Sequence, residues 1–275
     1  MALYDLCQLA DVKAWLGRTD TNSDAVLAAL ITRTSRQIYS YLQRSLILPR
    51  TVAEVRDGTG GSTMVLRQWP VISVASLTIG NLVIPERASV CSAGWAIESW
   101  DGTPPGRAQT LSLAGYAFGL GLPGVLDGQN VEIVYQAGYQ VSAEPQTIAD
   151  ASATALAPYG AWASDMGVTY ADGTALVAVT GPPAVGQYQL TPGQPGNYTF
   201  NAGDDGASIL ISYGFIPADL ADACIELVSE RFKYAQRIGE TSHSLGGNET
   251  VSFNTARFTP VIAALLQPYR NVVPI

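Results

Sequence analysis

Basic residues are missing from a long central part of this 275-residue chain. No Lys or Arg occurs between Ala108 and Glu230, and all fifteen basic residues lie outside that stretch. Charged residues make up 14% of the chain, against about 25% in an average soluble domain, and the net charge is −8. Because a sequence-independent nucleic-acid binder usually carries a basic patch, this composition argues against such binding. The sparse charge predicts a surface that partners cover.

The uneven charge has two interpretations. An acidic middle between basic ends favours contact between unlike regions of neighbouring copies of the chain. The alternative is a solvated acidic surface that only keeps the protein soluble. Composition leaves both open.

Cysteine and histidine are both scarce. Cys7, Cys91 and Cys224 are far apart, odd in number and in no CxxC pair, which argues against a disulfide framework or a zinc site. Cys224 lies on an apolar helical stripe and is predicted to be a small core residue. The one histidine, His243, lies in a polar loop between two serines, and no GxSxG motif exists. We therefore expect no enzymatic activity.

Two short motifs that could hold a ligand are interpreted as turns. The run Gly119–Gly124 matches GxGxxG, but Pro123 interrupts it and a strand follows, whereas a pyrophosphate site needs a following helix. Asp204 and Asp205 could contribute to a calcium site, yet such a site needs six or more oxygens. Two adjacent acids before Gly206 favour a β-turn. The sequence predicts no catalytic residue, no cofactor and no metal.

Apolar runs are too short for a membrane span. None reaches the roughly 18 residues that a membrane helix needs, and charges come too early in the N-terminal sequence for a signal peptide. We expect a protein made in a reducing cytosol that contacts no membrane.

Helical periodicity marks the first part of the chain. Apolar residues at spacings of three and four predict one helix over Leu9–Leu16, closed by Gly17, and a second from about Asp24 to Arg44, stopped by Pro49. One face of the second helix comprises Leu27, Ile31, Thr34, Ile38 and Tyr41. Thr21 and Asp24 form a capping-box pattern at the start of the second helix.

The last part of the chain shows the same periodicity. Pro217 fits the first position of a third helix, and Glu226 and Glu230 are predicted to lie on a solvated or subunit-facing side of it. The apolar stripe of that helix comprises Leu220, Cys224, Val228, Phe232 and Ala235. Phe258–Leu266 predicts a short fourth helix. The helices of the two ends are expected to pack as one module.

Between these ends the apolar period changes to two, which indicates strands. The first set runs from Thr51 to Tyr139, with a hairpin loop predicted at 58–61. It ends in the clear strand VEIVYQAGY, with Val131, Ile133 and Tyr135 on one face. A second set from about 141 to 213, punctuated by prolines, predicts a small β-sandwich and ends in a similar strand, ILISYGF.

The predicted fold class is therefore α+β, with N- and C-terminal helices forming one α-helical module around a β-rich core and an inserted β-sandwich-like domain. The predicted boundaries are 1–49 and 214–275 for the helical module, 50–140 for the β-rich core and 141–213 for the insert.

Two regions resemble the head–tail connector, or adaptor, proteins of tailed bacteriophages. In residues 24–79, a helix ending in YLQRSL leads into a strand, a Gly-rich turn and a PVISV strand. In residues 216–270, the IPADL helix leads through a loop to FTPVIAALLQPYR. Family members pass almost directly from a strand like VEIVYQAGY to the IPADL helix. The insert at 141–213 departs from that pattern.

The resemblance implies a structural virion protein rather than an enzyme. Such adaptors form a ring, usually of twelve copies, under the portal protein in the virion neck, after assembly in the host cytoplasm. The ring extends the DNA channel, through which DNA passes without sequence-specific binding, and offers a docking surface to stopper or tail-completion proteins. The C-terminal segment commonly reaches into the portal. That role is carried over to Tyr269, Arg270, Val272, Val273 and Ile275, for which a frayed tail is the alternative.

Two other function classes stay open. A surface or secreted β-sandwich module could bind carbohydrate or protein, since five tryptophans and thirteen tyrosines provide material for stacking platforms. A hydrolase with an unrecognised site is the third possibility, and the single histidine argues against it.

Overall fold

The computed structural model describes residues 5–98, 109–119, 129–235, 242–244, 250–252 and 258–271. The described residues form helices at both ends and strands between them, which confirms the predicted α+β class. The chain divides into two compact units, a helical unit of Met1–Arg44 with Ile216–Ile275 and a β unit of Ser45–Phe215.

Helices and strands are numbered along the described chain. The helices are α1 (Leu9–Trp15), α2 (Asp24–Leu42), α3 (Ala218–Tyr234) and α4 (Pro260–Leu266). The strands are β1 (Arg50–Arg56), β2 (Thr63–Val65), β3 (Val71–Ile79), β4 (Leu82–Val83), β5 (Gly94–Glu98), β6 (Thr110–Ala114), β7 (Val131–Ala137), β8 (Gln140–Thr147), β9 (Ser152–Thr154), β10 (Gly160–Tyr170), β11 (Val177–Ala178), β12 (Gln187–Leu190), β13 (Asn197–Phe200), β14 (Ser208–Pro217), β15 (Ser242–Ser244) and β16 (Thr250–Ser252).

The helical unit is built around α2 and α3, which pack against each other, with α1 against both and α4 against α3. Most of the periodic residues predicted for α2 and α3 are buried, and they include Leu27, Ile31, Ile38, Leu220, Cys224 and Val228. Tyr41 and Phe232 are half-buried, and Ala235 is exposed at the end of α3. This confirms that the helices of the two chain ends form one module.

Three helix boundaries differ from the sequence prediction. Ser23, not Thr21, is the N-cap residue of α2, and no side chain caps that end. The helix ends at Leu42 rather than at Arg44, because the C-cap residue Gln43 has a φ of 53°, in the left-handed region, which breaks the helical hydrogen-bond pattern well before Pro49. Pro217 is the N-cap of α3 rather than its first residue, because its ψ of 136° is extended.

A buried polar cluster ties the N-terminal segment to both long helices. The Leu6 amide donates to the Ser35 hydroxyl at 2.9 Å, and that hydroxyl lies 3.5 Å from the Cys224 sulfur. The Cys7 thiol donates to the same sulfur at 3.4 Å. This hydrogen bond, followed by burial, raises the pKa of Cys7 above its ordinary value. Cys224 is fully buried, as predicted.

The first half of the β unit is a two-sheet sandwich. One sheet has the order β1-β7-β3-β4 and the other β2-β6-β5, and one hydrophobic core contains residues of both. Val131, Ile133 and Tyr135 of the central strand β7 are fully buried, which confirms the face predicted for that strand.

The hairpin predicted at 58–61 is wrong. β1 pairs with β7, and β2 pairs with β6 of the other sheet, so the Gly-rich segment crosses between sheets. The Gly60 amide donates to the Phe118 carbonyl at 2.6 Å, and a Cβ on Gly58 would lie 1.7 Å from the Gly119 carbonyl oxygen. Gly58 is needed for this close approach of two backbones, and Gly60 has a positive φ of 78°.

The second half of the β unit also has two sheets, ordered β10-β14-β8 and β11-β12-β13-β9. Its buried residues include Val168, Tyr188, Tyr198, Phe200, Ile209, Ile211 and Tyr213.

Gly138, which follows β7, should tolerate no side chain. Its φ is +139°, and an added Cβ would lie 2.5 Å from the Leu48 carbonyl carbon and the Pro49 nitrogen. Gly138→Ala should therefore lower the free energy of unfolding by more than about 2 kcal/mol, measured by urea denaturation. Gly173→Ala is the matched control, since its φ is also positive (+91°) but it faces open space. Equal losses in the two variants would contradict this packing.

Candidate docking site at the C-terminal segment

The segment that leads to the predicted docking residues is firmly built into the helical unit. Pro260 starts α4 at a position where its missing amide proton costs nothing, and the Thr259 hydroxyl accepts a hydrogen bond from the Ile262 amide at 3.2 Å. Ile262 and Leu266 are buried. The segment is thus fixed by a cap and two apolar anchors.

The residues after α4 continue these contacts. The Tyr269 hydroxyl donates to the Asp219 carboxylate at 3.1 Å, in the first turn of α3. The Arg270 guanidinium lies 5.6 Å from the centroid of the Tyr41 ring, within the range of a cation–π contact. The Asn271 amide donates to the Leu42 carbonyl at 2.8 Å, where α2 ends.

The five predicted docking residues therefore divide into two groups. Tyr269 and Arg270 contact the helical unit of their own chain, and they hold the root of the segment. Val272, Val273 and Ile275 lie outside the described residues. Sequence patterns gave no sign of the partners of this root, Asp219 and Tyr41, because both are distant in the chain.

A second surface feature of the helical unit is an open groove of ≈ 380 Å³ between α1, α3 and α4. Trp15, which is 63% exposed, and Ile262 provide its apolar lining. Glu226, Glu230 and Lys233 provide its charges. The predicted solvent-facing side of α3 thus lines this groove. The exposed tryptophan on α1 is the one sequence signal that could have pointed to it.

Three acids of the insert accept hydrogen bonds from tyrosine hydroxyls. Glu144 and Asp204 are buried, and they accept from Tyr213 (2.6 Å) and Tyr170 (2.7 Å). Asp165 accepts from Tyr188 at 2.6 Å. Because this stretch contains no Lys or Arg, tyrosine hydroxyls satisfy these carboxylates where a cation would commonly do so. The other three acids of the insert, Asp150, Asp172 and Asp205, are exposed.

Burial and these hydrogen bonds change the acidity of the tyrosines. Burial first, and then the neighbouring carboxylate, raise the pKa of Tyr135, Tyr188 and Tyr213 well above the ordinary value of 10. The neutral hydroxyl is the form that can donate to a carboxylate.

Of the two candidate ligand motifs, Asp204 and Asp205 form part of a turn, and most of the glycine run lies outside the described residues. Asp204 also accepts from the Gly186 amide at 3.2 Å, and Asp205 accepts from the Ala151 amide at 2.7 Å. Among the described residues, no group of three or more His, Cys, Asp or Glu could hold a metal ion. His243 lies in β15 opposite Val251. In the GxGxxG run, only Gly119 is described. No described helix is long and apolar enough to cross a membrane.

Comparison with known proteins gives structural neighbours only. No protein-family model and no curated protein sequence matches the chain. The fold is similar to a chain from the "neck of native GTA particle computed with C12 symmetry", with 15% identity, a TM-score of 0.40 and coverage of 97% of this chain and 90% of that one. A chain from the "neck of empty GTA particle computed with C6 symmetry" is similar at 15% identity and a TM-score of 0.41, covering 98% and 92%. At this level the likeness is limited to the coarse fold.

The buried tyrosines should make stability sensitive to alkaline pH. Their folded-state pKa lies above the unfolded value, so their contribution is fully present below about pH 10 and is lost as pH rises further. The urea midpoint should therefore fall steeply above about pH 10. The double variant Tyr135→Phe/Tyr213→Phe should be less stable at pH 8 and should show a shallower decline. An unchanged alkaline slope in that variant would refute this origin.

Proposed function

We propose that this protein is a head–tail adaptor, a structural virion protein of a tailed bacteriophage or phage-like particle. It would form a homo-oligomeric ring under the portal protein in the neck, with twelve copies, the usual number for adaptors. The ring would extend the DNA channel without sequence-specific contacts and provide the docking surface for stopper or tail-completion proteins. Assembly would take place in the host cytoplasm.

The observation that supports this most is the assembly of the helical unit from both chain ends. The two regions that resemble adaptors contribute α2 and α3. These helices are far apart in the chain, and the hydrogen bond between Arg231 and Thr34 joins residues 197 positions apart. The helical unit is thus the part in which the two resemblances meet. The proposed division of labour keeps 1–49 and 214–275 as the connector module, 50–140 as the β-rich core and 141–213 as an insert.

The proposed portal contact is the C-terminal segment. Tyr269 and Arg270 hold its root on the helical unit, so Val272, Val273 and Ile275 would leave from a defined position. These side chains would fill apolar pockets of the portal. A single short segment binds weakly, but many copies in one ring act together, because each further contact forms at high effective concentration. Docking would therefore depend on a completed ring.

The charge distribution is compatible with a DNA channel. A stretch without Lys or Arg does not hold DNA phosphates, so DNA can move past it. The same stretch suits an outward-facing position equally well, and it does not identify the channel wall.

The carbohydrate-binding alternative has less support. Its stacking platforms would be exposed aromatic side chains. In the described part of the insert, Tyr188 and Tyr198 are 2% and 0% exposed, and the Trp162 indole donates to the Tyr198 hydroxyl at 3.1 Å. These aromatic residues pack inside the module.

Removing residues 272–275 should abolish portal attachment and leave the fold intact. Deleting from Pro268 onward would be a poorer test, because it also removes the Tyr269 and Asn271 contacts with the helical unit. We expect the chain ending at Asn271 to keep its melting temperature and ring mass, and to lose at least tenfold in affinity for portal rings measured by biolayer interferometry.

Side-chain substitutions test whether portal binding needs the apolar side chains of the segment or only its length. The triple variant Val272→Ser/Val273→Ser/Ile275→Ser should lose binding like the truncation. Val90→Ser, at a valine that is 88% exposed in the β unit, should bind like the unmodified protein. Undiminished portal decoration by the truncated chain would rule out this docking role.

A further inference from the structure

We infer that the β unit contains one structural module twice, with β8–β14 repeating β1–β7, and that the second copy is self-contained and separable from ring formation. The modules share strand order, a buried hydrogen-bond motif, a core pair and the way in which they join the chain.

The strand orders match one to one. The first module has the sheets β1-β7-β3 and β2-β6-β5, and the second has β8-β14-β10 and β9-β13-β12, so each strand corresponds to the one seven places later. The fourth strand follows the same path. β4 pairs with β3, and Glu86 just beyond it bridges to Trp95 of β5 in parallel. Just before β11, Ala175 bridges to Thr169 of β10, and β11 then pairs with β12 in parallel.

Each module contains the same tyrosine–glutamate pair. In the first, Glu54 of β1 lies opposite Ile133, and the hydroxyl of Tyr135, two residues further, donates to it at 2.5 Å. In the second, Glu144 of β8 lies opposite Ile211, and the hydroxyl of Tyr213, again two residues further, donates to it at 2.6 Å.

Two consecutive backbone amides complete the motif in both modules. The Arg67 amide donates to Glu54 at 3.1 Å, and the next amide, of Gln68, donates to the Tyr135 hydroxyl at 3.0 Å. The Leu156 amide donates to Glu144 at 2.7 Å, and the next amide, of Ala157, donates to the Tyr213 hydroxyl at 3.1 Å. In both modules the same hydrogen bonds thus join a carboxylate, a tyrosine hydroxyl and two consecutive amides, and this arrangement is not a general property of β-sandwiches.

Both modules contain a pair of buried residues that lie opposite each other on neighbouring strands. In the second module, one member of the pair is smaller and the other is larger than in the first. In the first module, Met64 of β2 lies opposite Leu111 of β6. At the corresponding places in the second module, Ala153 of β9 lies opposite Tyr198 of β13. A smaller residue on one strand thus accompanies a larger one on its neighbour, as close packing requires.

The ends of the modules are equivalent too. The Tyr139 amide donates to the Ile47 carbonyl at 2.8 Å where the first module closes, and the Phe215 amide donates to the Tyr139 carbonyl at 3.1 Å where the second closes. The two closing hydrogen bonds correspond in role, and each donor amide belongs to an aromatic residue after a glycine, although Tyr139 follows Tyr135 by four residues and Phe215 follows Tyr213 by two. Joining Gly138 directly to Phe215 would therefore place an equivalent residue opposite Ile47.

This inference deepens the proposed adaptor role, on which its ring readout rests. Each copy would supply the ring with two like β modules, and the second begins and ends at neighbouring backbone positions, so it could be removed without interrupting the first. The insert is then a second core module and not a foreign domain.

The first test transfers the core pair of the second module into the first. Met64→Ala should lower the urea midpoint by opening a cavity, and Leu111→Phe should lower it by overpacking. Phe is used instead of Tyr so that no unpaired hydroxyl is introduced. The double variant should recover at least half of the summed loss. Met64→Ala/Leu113→Phe is the control and should recover less, because Leu113 lies opposite Trp95. Losses that simply add in the first pair would overturn the equivalence.

The second test removes residues 139–214 from the full chain and joins Gly138 to Phe215. We expect one cooperative unfolding transition and, in native mass spectrometry, rings with the copy number of the unmodified protein. A deletion that also removes Phe215 is the register control and should be less stable. Loss of cooperative unfolding in the first deletion, or loss of rings that the full chain forms, would overturn the inference. If the full chain itself forms no rings, the adaptor role is wrong. The core-pair exchange and the cooperative unfolding of the deletion variant would still test whether the second module repeats the first.

Discussion

The β unit depends on one interaction, the hydrogen bond from a neutral tyrosine hydroxyl to a buried carboxylate. A buried acid without a partner costs about 1–3 kcal/mol or more, and between Ala108 and Glu230 the chain offers no cation to compensate it. Tyr213 provides the partner for Glu144 from the adjacent strand. Tyr135 does the same for Glu54, which also lies 4.0 Å from the Arg56 guanidinium. Because each hydroxyl must reach a particular carboxylate, the pairs also favour one set of neighbouring strands and one register.

The helical unit relies on a different arrangement, in which distant segments meet at one buried point. Ser35 and Cys224 bring α2 and α3 together with the N-terminal segment, and the residues up to Asn271 are fastened to the same unit. In the proposed docking role, these contacts would fix the point from which the apolar segment leaves the unit. Such a segment would gain affinity by repetition around a ring rather than by its own contact area.

Much of the fold was predictable, because local periodicity survives in the structure. The spacing of Leu27, Ile31 and Ile38 identified α2, and the alternation of Val131, Ile133 and Tyr135 identified the central strand. Strand order was not predictable, since β1 and β7 are neighbours in space but far apart in the chain. The Gly-rich run at 58–61 has the composition of a hairpin turn, yet Gly58 is needed for a close backbone contact. Composition also did not show which acids of the insert are buried, because it does not distinguish an exposed carboxylate from Glu144. For the candidate site, residue type pointed to Tyr269 and Arg270, while their partners Asp219 and Tyr41 could be found only in the folded unit.

The adaptor role makes a claim about assembly, and imaging tests it most directly. Full-length protein mixed with the portal rings of its own particle would be examined by negative-stain electron microscopy with class averaging. We expect an additional ring on the portal axis, coaxial with the channel, in the side views. Portals without added density, alongside protein that stays monomeric at the concentrations used, would contradict the account.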